Sequence, residues 1–78
     1  MPSDRKAIAD MIQKRSAESK KPISLQETNN LAREAARKLE QAGLEGSGKD
    51  IARLKPKQLR RFDKETHTDL SETLKKIL

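Results

Sequence analysis

Apolar residues recur along most of this chain three and four positions apart, the spacing of helix faces rather than strands. Ser3 or Asp4 can cap a first helix running to about Ser19, with Ile8, Met11 and Ile12 on one face at i, i+3, i+4. Pro22 ends the connection after it. Ser24-Leu25-Gln26-Glu27 then reads as an S-x-x-E capping box, in which the serine accepts from the third amide and the glutamate reaches back to the cap. It opens the strongest helix, to about Ala42. At about 100° per residue, Leu25, Thr28, Leu31, Ala32, Ala35, Ala36, Leu39 and Ala42 form one broad stripe, with Gln26, Asn30, Arg33, Arg37 and Gln41 opposite. Gly43 stands where a left-handed residue is wanted, and Leu44 completes a Schellman ending.

The remaining elements are shorter. Glu45-Gly46-Ser47-Gly48 reads as a flexible loop, and Lys49 to Leu54 as one helical turn carrying Ile51 and Leu54 inward. Pro56 takes the first position of a helix that runs to about Glu65. Asp69-Leu70-Ser71-Glu72 repeats the capping box and starts a last helix from Leu70 to Leu78, with Leu70, Leu74, Ile77 and Leu78 as its apolar edge. The expected architecture is all-α: one domain over residues 1–78, a small bundle of four or five short helices. The last helix has no C-cap, which fits either a domain cut from a longer protein or a terminal helix docked on something.

Composition narrows this further. Val, Tyr and Trp are absent and Phe62 is the only aromatic, so strand formers are scarce. Apolar residues make up 32% of the 78 and charged residues 38%, which leaves a small aliphatic core and a marginal fold, or one that a partner completes. Without cysteine there is no disulfide scaffold or thiolate metal site, and a lone His67 forms no metal cluster. No signal peptide and no apolar run near the ~20 residues of a membrane span is present, so a soluble, cytosolic protein is expected.

The net charge of +6 is concentrated. Residues 49–64 hold seven basic and two acidic side chains, +5 of that total. On the Pro56 helix, Lys57, Arg60, Arg61 and Lys64 share one face, with Leu59 and Phe62 on the other. Cations at i, i+3, i+4 and i+7 repel one another by a few tenths of a kcal/mol per pair, a cost that an anionic partner removes. Nucleic-acid phosphates are the natural candidate, against a merely solvated basic face. Base stacking wants aromatics, and the one present is needed in the core, so duplex DNA is favoured over single strands or RNA. Arg33, Arg37 and Asn30 offer a second contact line of base-reading residue types, although Glu34 and Lys38 on the same helix stand at the i, i+4 spacing of an ordinary ion pair.

Two catalytic look-alikes fail. Gly43 to Asp50 nearly matches the phosphate-binding G-x-x-x-x-G-K-S/T loop, but a helix precedes it where a strand is required, and Asp50 takes the hydroxyl position. His67, between Thr66 and Thr68, reads as a polar turn residue with no nucleophile beside it. No catalysis, cofactor or metal is expected.

Ser24-x-x-x-Thr28, Leu31, Arg33, Ala35, Leu39 and Gly43, then Asp50-Ile51, Leu54-Lys55-Pro56-Lys57, Leu59 and Phe62, then Leu70-Ser71-x-Thr73, together resemble the N-terminal SAM-like, core-binding domain of phage integrases and other tyrosine recombinases. The resemblance spans residues 24–78; the aromatics common in that family's core are missing. It implies a four-helix unit clamping one side of duplex DNA, with the catalytic residues in a separate domain. It also implies DNA contacts at Arg33, Arg37, Lys55 and Lys57. Two readings follow. One is duplex DNA binding through Lys55, Lys57, Arg60, Arg61 and Lys64 with Arg33 and Arg37 beside them, which would make the protein nucleoid-associated. The other is a small protein-interaction module, such as an antitoxin, anchor or secretion accessory, whose amphipathic helices and terminal Leu74, Ile77 and Leu78 dock on a partner.

Overall fold

In a computed structural model, which describes residues 3–78, every regular element is helical. The order is α1 (Asp4–Ser19), α2 (Leu25–Gln41), α3 (Gly48–Ala52), α4 (Pro56–Thr66), α5 (Leu70–Thr73) and a closing 3-10 turn (Lys75–Ile77). α1 packs along α2 and carries α3 on its flank, while α5 bridges α2 and α4. The small all-α bundle is as the pattern predicts. Its radius of gyration, 11.4 Å, matches the ~11.5 Å of a folded chain this long.

One aliphatic core holds these elements together. Ile8, Ile12, Leu39, Ile51, Leu59, Leu70 and Leu74 are essentially inaccessible, as are Ala32 and Ala35 on the inner face of α2. Leu31, Leu54, Phe62 and Leu78 pack partly against this core. The terminal Leu74 and Ile77, which suggested a docking edge, are therefore buried within the chain itself. Leu25 is the exception: at 69% exposed it borders a groove lined mainly by polar residues of α1, among them Lys6, Asp10 and Gln13, with Ala9.

Helix ends follow the local signals in part. Ser24 Oγ accepts from the Glu27 amide at 3.0 Å, but the Glu27 carboxylate leaves the cap and pairs with Lys76. At the other end of α2, Gly43 N bonds Glu40 O (3.1 Å) and Leu44 N bonds Leu39 O (2.8 Å), with Gly43 at φ 73°: the Schellman motif read from the pattern. α1 ends the same way, with Lys20 at φ 56° and Lys21 N on Ser16 O.

Four expectations need correction. Ser3 occupies the N-cap of α1 without a side-chain bond, and Asp4 turns away to accept from the amides of Gly46 and Gly48, each at 2.8 Å. The glycine loop is thus clasped rather than loose. Asp69 does not cap α5 either. Asp63 does so from α4, its two oxygens accepting from the Thr68 hydroxyl and the amides of Leu70 and Ser71, all at 2.8 Å. Nor does the last helix continue to Leu78: after Thr73 the bonding shortens to i→i+3, with Ile77 N on Leu74 O, so that a helix's final carbonyls still find donors.

Candidate nucleic-acid interface

α4 is built as the sequence pattern requires. Pro56 sits at its first position, where a missing N–H costs nothing. The Lys55 amide donates to Gln58 Oε1 at 2.8 Å. The reciprocal half of a capping box is chemically closed to lysine, because an ammonium has no lone pair to accept with. Its side chain remains exposed.

Leu59, 1% exposed, and the half-buried Phe62 fix the rotation of α4 against the core and α5. That rotation turns Lys57, Arg60, Arg61 and Lys64 to solvent. Among the described residues neither these four nor Lys55 forms an ion pair. Glu65 stands four residues after Arg61 without pairing with it. Asp63, the other acid of α4, faces away, held by the three donors that start α5. The outward side therefore carries a cationic strip, flanked at its C-terminal end by the exposed Glu65, whose members repel one another at i, i+3 and i, i+4.

The α2 arginines fall in a different place. Arg33 and Arg37 line a groove with Ser3, Asp4 and Arg5 of the α1 start, Ala36, Glu40, Glu45 and Gly46. No residue of α4 lines that groove, of about 830 Å³. The seven candidate residues thus form two groups: Lys55, Lys57, Arg60, Arg61 and Lys64 on α4, and Arg33 with Arg37 on α2. Both arginines are exposed, and Arg37 pairs with Glu34. Glu34 is thereby not the partner of Lys38. That lysine crosses to α5, bonding Thr73 Oγ1 and, at 2.8 Å, Asp69 Oδ1. The Lys38 hydrogen bond holds the Asp69 carboxyl below the ordinary aspartate value, and Glu72 likewise raises the Lys75 ammonium.

Arg5 is the groove residue that sequence reasoning missed. The α1 periodicity marks it only as polar, and its meeting with Arg33 depends on how α1 lies on α2. His67 ends α4 in the left-handed conformation, φ 58°, and is exposed. The described residues contain no group of acidic, His or Cys side chains suited to a metal ion, and no helix long and apolar enough to cross a membrane. No family model matches the chain, and neither do any curated protein or solved structure.

Proposed function

We propose that the chain binds duplex DNA through the cationic face of α4, as a non-catalytic, DNA-clamping unit like the core-binding domain of a site-specific recombinase, any chemistry lying in a separate domain. The observation that carries this reading is the strip itself: Lys55, Lys57, Arg60, Arg61 and Lys64, exposed and without ion pairs, on a helix fixed by Leu59 whose Asp63 is turned away to cap α5. A merely solubilising surface gains from interleaved acids, whereas a phosphate-binding surface gains from their exclusion. Phe62 is packed against the core and is not free to stack on a base, which favours duplex backbone over single strands. Arg33 and Arg37 supply a second, separate contact.

The test is a titration of labelled duplex DNA at several salt concentrations, with circular dichroism to verify folding. Neutralising five phosphates gives a log–log salt slope of about −4.5 or steeper, roughly a 500-fold loss of affinity between ~50 and ~200 mM salt. The Lys57→Glu, Arg60→Glu, Arg61→Glu variant loses binding while staying folded. Equal binding by both proteins, or binding insensitive to salt, overturns the reading.

A further inference from the structure

We infer that the phosphate track does not stop at α4 but runs on across α3, with Lys49 and Arg53 as two further backbone contacts. The inference rests on the DNA-binding reading above. α3 is a single turn oriented by Ile51, which is 1% exposed, and by the Asp4 clasp on its Gly48 amide. At about 100° per residue Lys49 and Arg53 both lie on the side opposite Ile51, about 40° apart and ~6 Å along the axis. Both are exposed, and among the described residues neither forms an ion pair, not even Arg53 with Asp50 three residues before it.

Only Leu54 separates Arg53 from Lys55, so the two Cα atoms lie at most ~7 Å apart. That junction is fixed at both sides. The Arg15 guanidinium donates to the Leu54 carbonyl, tying it to α1, and the Lys55 amide donates to Gln58 Oε1. Lys49, Arg53, Lys55 and Lys57 thus follow one another at Cα steps of about 6–7 Å through a pinned junction, before the helical strip of Arg60, Arg61 and Lys64, with Arg53 also bordering Asp10 and Glu18 of α1. The matching partner is one phosphodiester strand of a duplex, a line of evenly spaced negative charge, rather than a point anion. A ridge held in place before binding gives up little conformational entropy when it meets that strand.

The experiment compares salt slopes for duplex DNA in the wild type, in Lys49→Gln with Arg53→Gln, and in a charge-matched control, Lys75→Gln with Lys76→Gln on the closing 3-10 turn. All four side chains are exposed, and circular dichroism checks that each variant folds. With these seven phosphates neutralised the wild-type slope is about −6, or steeper where Arg33 and Arg37 add theirs, and the α3 variant flattens it by about 2, at roughly one for each phosphate no longer neutralised. The control leaves it unchanged. An α3 variant with the wild-type slope overturns the inference while the α4 charge reversal still tests the DNA reading on its own. Equal flattening by variant and control also overturns it, because the effect is then one of net charge. A wild type that shows no salt-dependent binding removes the reading and the inference together.

Discussion

Replacing Gly48 by alanine tests the tightest packing at any of the three glycines. Gly48 has an ordinary helical φ, and glycine to alanine at such a position normally stabilises by ~0.4–1 kcal/mol through the unfolded chain. Here the sign reverses. A Cβ at position 48 would lie 2.6 Å from Asp4 Cα, 2.8 Å from its Oδ1 and 3.0 Å from its Cβ. Backbone cannot give way as a flexible side-chain tip can, so the start of α1 must move. Overpacking of this kind costs ~1–3 kcal/mol, and the movement also strains two amide-to-carboxylate bonds worth ~1.5–3 kcal/mol each. A net loss of about 3 kcal/mol is expected, against a total stability of roughly 4–12 kcal/mol for a domain this size. Thermal unfolding followed by circular dichroism should show the midpoint falling by ~12–24 °C. Gly46→Ala is the control: its φ of 98° strains a side chain, but nothing lies within 4 Å of the added methyl. In an Asp4→Ala background the clash with the Cα persists, so Gly48→Ala must still destabilise. A Gly48→Ala protein that melts at or above the wild type refutes the described packing of α1 on α3.

Asp63→Ala should destabilise by about 2–3 kcal/mol in urea unfolding, since it strands the Leu70 and Ser71 amides and the Thr68 hydroxyl. Asp63→Asn should fall between, having one acceptor oxygen where the carboxylate uses two; an alanine variant within ~0.5 kcal/mol of wild type would contradict the cap. The Lys38 to Asp69 bond predicts an acid-side dependence. Because Asp69 is held below the 3.8 of an unperturbed aspartate, its contribution is complete above that value and fades as pH falls through the lowered one. NMR titration of the Asp69 carboxyl should give a midpoint below 3.8 that rises in Lys38→Met; a wild-type midpoint at or above 3.8 would break the assignment.

What could be read in advance depended on how far apart along the chain the interacting groups lie. α2 was legible at both ends because Ser24 bonds Glu27 and Leu44 bonds Leu39, all within six residues. The basic face of α4 was legible for the same reason, since Leu59, Phe62 and the four cations share one helix. The capping of α5 was misread because Asp69 offers the local signal while Asp63, seven and eight residues before its targets, makes the bonds. Glu34, Lys38 and Glu27 each had a plausible partner on α2 and found another: Arg37, Asp69 and Lys76. The division of the arginines from the α4 strip, and the entry of Arg5 into their groove, depend on the crossing of α1 and α2, which no periodicity encodes.

The Asp4 clasp also bears on the order in which the chain assembles and comes apart. Its carboxylate reaches amides 42 and 44 residues away, so the contact repays its loop closure only after α1 and α2 have already docked. α3 buries little beyond Ile51 and Gly48 and leans chiefly on α1. It can accordingly open at a free energy below that of global unfolding. The Gly46 and Gly48 amides should exchange with solvent through this partial opening while α1 and α2 stay paired. A strand bound across Lys49 and Arg53 would in turn hold this segment closed, so that ligand binding and the protection of the Gly46 and Gly48 amides would rise together.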